Sequence, residues 1–278
     1  MSSAVSCPVT PQTVADVVTA VRATSPLVHC VTNAVVTNVT ANVLLAAGAA
    51  PAMVAAPAEA GDFARVADAL LTNLGTVEGE QPNAMRVAAH AAVDAGVPWV
   101  LDPVAIGSMR VRTALAAELL AVGPTIVRGN ASEVAALAGG LGGRGVDSLD
   151  TPDDVRDVAL RLARESGAVV AVSGAVDLIT DGVRIARVRA GTPLLTRVTG
   201  VGCSLGALVA ACAAVTPDRL LAATAATAWV CVAGDLAAEA ATTTGSFAVA
   251  LIDRIDDVDA SAVGERSGLM AEAAQVTA

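Results

Sequence analysis

Lysine does not occur in this 278-residue chain; all 17 basic residues are arginine. Its absence excludes a Walker A lysine, the strand lysine of a protein kinase, a pyridoxal phosphate aldimine and Schiff-base catalysis. Tyrosine is also missing, and two Phe and two Trp complete the aromatic set, so the core has to be filled by aliphatic side chains, mainly Ala, Val and Leu. His29 and His90 are the only histidines, too few for a histidine-rich metal centre. The five cysteines, at 7, 30, 203, 212 and 231, form no CxxC pair and are odd in number, the usage expected of reduced thiols in a cytosolic protein.

Basic clusters are lacking too. The net charge of −10 is spread along the chain, which argues against nucleic acid or an anionic membrane as partner and for a small molecule. The N-terminus has no basic segment leading into an apolar stretch, so no signal peptide is expected and the cytoplasm is the expected compartment. Residues 23–58 carry no Asp, Glu, Lys or Arg, yet Asn, Thr, Gly and Pro interrupt them too often for a membrane span of ~20 apolar residues.

What is present is 54% hydrophobic residues, enough for one large α/β domain over 1–278. Short apolar runs at 27–31, 52–54, 69–74, 98–101, 125–127 and 168–173 end in polar or glycine-rich turns and alternate with alanine-rich segments of helical length. That is the pattern of a mostly parallel sheet with helices on both faces. Runs at 178–180 and 184–188 flank Asp181-Gly182, a hairpin signal that makes one edge of the sheet mixed. After Cys203 the pattern is helical throughout, broken at Pro217-Asp218 and at 242–245. The glycine-rich stretch 139–154 is a candidate interdomain loop but too short to divide the chain, and no repeat of 20 to 50 residues is found.

The segment VTGVGCSLGALVAA, 198–211, places Gly200, Gly202 and Cys203 before an apolar helix. Its spacing is GxGxxxG, and helix rather than strand follows, so a dinucleotide-binding unit is rejected. The segment suits a helix N-terminus whose free amides hold an anion such as a phosphoryl group, with a plain tight loop as the alternative reading. LDPV at 101–104 and RGNASE at 128–133 each follow a strand, at the end of the sheet where α/β sites form. Asp102 and Glu133 can then share a magnesium site. Taken alone, Asp102 reads equally as a turn residue before Pro103, and Glu133 as the partner of Asn130 in a capping box.

Taken in order, PLVHCVTNAVVTNVTANVLLAAGAAPAM, LTNLGT, LDPVAIGS, IVRGNASE, VTGVGCS and TTGSF resemble the hydroxyethylthiazole kinase family over about residues 25–247. The resemblance implies a ribokinase-like three-layer α/β sandwich and ATP-dependent phosphorylation of the hydroxyethyl group of 4-methyl-5-(2-hydroxyethyl)thiazole in thiamine salvage. It implies magnesium as cofactor and a homotrimer with sites between subunits. Residue by residue, it assigns the thiazole pocket to Asn33, Met53 and Gly200, nucleotide contacts to Arg128 and Ser173, metal-side carboxylates to Asp102 and Glu133, and the catalytic loop to Gly200, Gly202 and Cys203. Physical chemistry fits these roles: Arg128 carries a charge suited to phosphate, Met53 is soft against a heterocycle, and Asn33 lies in an uncharged block with Asn38 and Asn42, of which Asn42 reads as structural.

Two departures stand out. Ala105-Ile106-Gly107 occurs where the family usually has a second glycine after DPV, and Ser173 to Asp177 reads SGAVD in place of a TGExD-like segment, leaving no acid at Ala175. The rival readings are a kinase of hydroxymethylpyrimidine or pyridoxal, an ATP-dependent hydrate dehydratase of the same fold, and a non-catalytic sensor; an intact catalytic loop and the VTN and PAM segments favour the thiazole kinase.

Overall fold

The computed structural model describes residues 8–139 and 151–274. Cys7 and most of the 139–154 stretch lie outside them. The first half of the chain runs α1 (Pro11–Thr24), β1 (Leu27–Val31), α2 (Thr37–Ala46), β2 (Ala50–Ala52), α3 (Pro57–Val66), β3 (Ala69–Asn73), α4 (Gln81–Ala95) and β4 (Trp99–Asp102). It continues with α5 (Arg110–Val122), β5 (Ile126–Asn130), α6 (Ala131–Gly139), α7 (Arg156–Ser166), β6 (Val169–Ser173), β7 (Asp177–Thr180) and β8 (Arg184–Val188). After a 3-10 turn at Pro193–Arg197 come α8 (Val201–Val215), α9 (Arg219–Ala240), α10 (Thr244–Asp257), α11 (Ala260–Arg266) and β9 (Met270–Ala273).

The strands form a single sheet in the order β2-β1-β3-β4-β5-β6-β7-β8-β9, parallel from β2 to β6 and antiparallel from there to β9. Strand alternation splits the apolar runs between two cores. Ala69 and Leu71, Val100, Ile126 and Ala171 face one layer built by α1, α2 and α8 to α11. Leu70, Trp99, Leu101, Val127 and Val172 face the other, built by α3 to α7. A sheet buried on both faces needs continuous apolar strands, and these have them.

The mixed edge forms as the Asp181-Gly182 signal predicts. Asp181 Oδ1 accepts the N–H groups of Val183 and Arg184, and Gly182 takes a positive φ of 88°. The expectation of helix throughout after Cys203 is corrected by β9, an exposed MAEA edge strand paired with β8. The parallel strands after β1 also shift by one to three residues from their expected bounds: β2 ends at Ala52, while β5 runs on to Asn130. α9 is apolar and long enough to cross a membrane by composition, but here it is a core helix buried on nearly all sides.

Candidate active site

The chain reverses its direction across the sheet between β1 and β3, and the crevice outside the carboxyl ends of strands at such a point is where open α/β sheets bind ligands. Polar residues collect there. Asn33 follows β1, Asn73 ends β3, Asp102 ends β4, Arg128 and Asn130 lie on β5, and Ser173 ends β6. Parallel register sets Asn73 beside Asp102 and Asn130 beside Ser173.

Their side chains form a connected row. Asn33 Nδ2 donates to Asn73 Oδ1 at 2.8 Å and to Cys203 Sγ at 3.4 Å. Asn73 Nδ2 donates to Asp102 Oδ2 at 2.6 Å. Arg128 Nη1 stands 3.9 Å from Asp102 Oδ1, and Arg128 Nη2 donates to Ser173 Oγ at 2.8 Å. Asp102 is fully buried, and burial lifts its carboxyl to about 7 against the opposing pull of Arg128 and the Asn73 hydrogen bond; nearby Glu133 adds to the rise. Its Oδ1 is a buried acceptor without a hydrogen-bond partner.

Over this row sits the N-terminus of α8. Gly200 caps it with φ 95°, a left-handed conformation natural to glycine, and a Cβ there would also press on Val36 and Val39. A Cβ on Gly202 would lie 2.8 Å from Arg128 Nη1, and one on Gly206 would lie 3.2 Å from Asp102 Oδ2. Glycine therefore lets the helix end approach the charged pair, with its free amides turned to the same crevice. Cys203, in the first turn, is half-buried. Burial and then the Asp102 charge raise its thiol, outweighing the Asn73, Asn33 and Arg128 contributions, so it is a neutral thiol at pH 7.

Glu133 closes a capping box on α6: its Oε2 accepts the Asn130 N–H at 2.9 Å while Asn130 Oδ1 accepts the Glu133 N–H at 2.9 Å. Its other oxygen, Oε1, accepts the Ala105 N–H at 2.9 Å and so ties the loop after β4 to α6. No group of three or more His, Cys, Asp or Glu side chains converges as a metal cage among the described residues. The orphaned Asp102 Oδ1 is instead the kind of single carboxylate through which magnesium is held when water and phosphate supply its other ligands.

Beside the row opens a cavity of about 520 Å³ lined by Arg128, Ser173, Ala175, Asp177, Gly202 and Cys231, among others. Arg128 and Ser173 are common to both, and Gly202 of α8 lines the cavity against Arg128, so the cavity and the row meet at the α8 N-terminus. Met53 follows β2 at the far end of the row, half-buried against the first core. Next to it, the carbonyl of Val54 accepts from His29 Nε2 at 2.7 Å; burial lowers the pKa of this imidazole and keeps it neutral.

Residues 18–261 match the model of the hydroxyethylthiazole kinase family. The chain belongs to that family. It is similar to the hydroxyethylthiazole kinase of Clavibacter sepedonicus, with 58% identity over 92% of this chain and 94% of that one. With the enzyme of the same name from Kineococcus radiotolerans it shares 51% identity over 98% and 100%. Among solved structures, the hydroxyethylthiazole kinase protein of Pyrococcus horikoshii OT3 superposes with a TM-score of 0.87 at 37% identity, covering 94% of this chain and 99% of that one. The pyridoxal kinase of Staphylococcus aureus, 16% identical with a TM-score of 0.57 over 89% and 99%, shares the ribokinase-like fold.

Within the hydroxyethylthiazole kinase family pattern, the departure at Ala105 now has a geometry. Ala105 adopts φ 59°, one of two non-glycine positive values in the described chain, held there by its hydrogen bond to Glu133. Ala175 lines the cavity and puts a methyl group where the pattern has a carboxylate. Asn33, Asp102, Arg128, Ser173 and Cys203, all singled out from the sequence, lie together in one row, and two further residues join them that the sequence did not single out. Asn73 was hidden inside the apolar run 69–74, and its register with Asp102 appears only once the two strands are paired. Asp177, whose Oδ1 accepts the Gly174 N–H and whose Oδ2 accepts from Cys231 Sγ, is lifted by burial to about 6.

Proposed function

We propose that this protein transfers the γ-phosphoryl group of ATP to the hydroxyethyl oxygen of 4-methyl-5-(2-hydroxyethyl)thiazole, as one catalytic domain working in the cytoplasm. The observation that carries this reading is the meeting of an uncharged amide-and-thiol cluster with an arginine-lined cavity at one glycine-rich helix N-terminus. Asn33, Met53 and Gly200 form the thiazole end. Arg128 and Ser173, joined by a hydrogen bond at the cavity wall, take the nucleotide phosphates.

In the transfer, the alcohol oxygen bonds to the γ-phosphorus, the bond to the β-bridging oxygen breaks, ADP leaves and the hydroxyl proton is released. Cys203 positions the hydroxyl and, in its thiolate form, takes up the released proton; its raised pKa keeps that form minor at pH 7. The amides of Gly200 to Cys203 stabilise the moving phosphoryl group. A loose transition state of this kind depends on positioning and charge more than on a strong base. Asp102 Oδ1 would hold magnesium; Glu133, with each oxygen already taking one backbone N–H, would act on its waters. When bound, that ion neutralises phosphate charge. The working unit is a homotrimer with sites between subunits.

The test is ADP release coupled to product mass, run with the thiazole alcohol, a hydroxymethylpyrimidine and pyridoxal. A phosphorylated thiazole alone is expected. Turnover only of pyrimidine or pyridoxal, or ATP consumption with loss of water from a hydrate, would replace this reading with a rival one. Cys203→Ala is expected to keep measurable activity, on the order of a hundredth or more of the parent rate, because a thiol that is mostly protonated supplies no more than the lower end of the roughly 10²–10⁴-fold typical of general-base help; complete loss in a folded variant would make the thiol indispensable instead.

A further inference from the structure

We propose that Asn73 is a positioning residue for phosphoryl transfer: its side-chain amide, fixed at both ends, determines which atoms Asn33 and Cys203 turn toward the alcohol. This rests on the reading of the site as an alcohol kinase. Asn73 is wholly buried at the end of β3, where a primary amide is tolerated only when its groups are bonded. Its side-chain bonds run to Asn33, Asp102 and the Gly75 backbone. The Gly75 N–H lies 3.0 Å from Oδ1, and a backbone N–H can only donate, which assigns the oxygen to that end and Nδ2 to Asp102.

The rest of the polarity follows from that one assignment. Asn73 Oδ1 also faces Asn33 at 2.8 Å, so Asn33 must present Nδ2 there, and the same NH2 group reaches the Cys203 sulfur. The Asn33 carbonyl oxygen is then the atom turned away from the row, as an acceptor. Gly75 shows that this packing is built in, because a Cβ at that position would collide with the Asn33 amide. For transfer, the direction matters: an acceptor toward the hydroxyl accepts its hydrogen bond and leaves an oxygen lone pair free to attack phosphorus, while the proton leaves by the route proposed above. A flipped Asn33 would donate to the lone pair that has to react.

The experiment is a double-mutant cycle in the full chain. Asn73→Ala is expected to lower kcat about 30-fold with the KM for ATP changed less than about twofold, while in an Asn33→Ala background the same substitution costs less than about threefold. An equal loss in both backgrounds would make Asn73 merely structural and overturn the proposal. Asn73→Ser, smaller in its perturbation, runs through the same cycle in case the alanine variant does not fold. A second readout needs no substrate: the Asn33 side-chain amide resonances of asparagine-labelled protein should shift in Asn73→Ser, and unchanged resonances would also overturn it. Should the wild type phosphorylate a different alcohol, the thiazole reading fails while the cycle is measured on that alcohol.

Discussion

Gly202 shows most directly how one residue shapes the site. A valine there would push its side chain into the Arg128 guanidinium, 2.8 Å from where its Cβ must lie, and break the contact to Ser173. Gly202→Val is expected to lower kcat at least 100-fold, the scale of losing a charge-stabilising donor, while the melting temperature falls little. A folded variant with normal turnover would remove the phosphoryl-holding role from this loop. At Ala105 the expected change is a gain: Ala105→Gly relieves a left-handed alanine and should stabilise the protein by about 1 kcal/mol in urea unfolding, and no gain would mean that Glu133 fully offsets the strain. Asp177 gives a pH signature. Its carboxyl holds a proton more tightly folded, at about 6, than unfolded, so its contribution is intact below about pH 4 and is lost as pH rises through 6, roughly 2–3 kcal/mol in all. Asp177→Asn should therefore gain stability relative to wild type between pH 4 and 7 in ligand-free urea melts, and parallel pH curves would contradict it. Residues like Asp102, Arg128 and Cys203 were legible because each sits in a short motif whose chemistry is local. Asn73 and Asp177 were not, because their meaning lies in partners 29 and 54 positions away.

Among the elements, α9 depends on its first residue pair. Asp218 caps it, Oδ1 accepting the N–H groups of Leu220 and Leu221, and the same carboxylate takes both terminal nitrogens of Arg184 from β8. Asp218→Ala should cost about 2 kcal/mol, most of it the lost cap, since the arginine is partly solvated. Thermal melts would expose a smaller cost if water replaces the cap. The Pro217-Asp218 break that placed this helix start was visible in the sequence, as were β1 and β3 to β6, because a strand buried on both faces has to be an unbroken apolar run. β9 was not visible: MAEA is exposed on every side chain and lacks the β-branched residues that mark a strand, so only its pairing with β8 makes it one.

At the scale of the molecule, the proposed trimer has a physical motive in Leu45 of α2 and Val249 of α10, which are 59% and 63% exposed on helices packed against each other. Light scattering should give a mass near three chains, and a stable, active monomer would count against sites between subunits. The two cores also differ in how their helices are distributed along the chain. α3 to α7, with 140–150 falling between the last two, follow one another in sequence, whereas α1 packs against α9 and α11, and Gly264 of α11 has no room for a Cβ beside the Pro11 backbone. During synthesis the second layer can therefore close while the ribosome is still at work, but the first cannot close until α11 has left the exit tunnel. In that interval α9, whose apolar stretch is as hydrophobic as a membrane span, lacks the cover of α10 and α11, so a ribosome that stalls between α9 and α11 presents to chaperones and the translocation machinery the one helix, among the described residues, that they are most apt to mistake for a transmembrane segment.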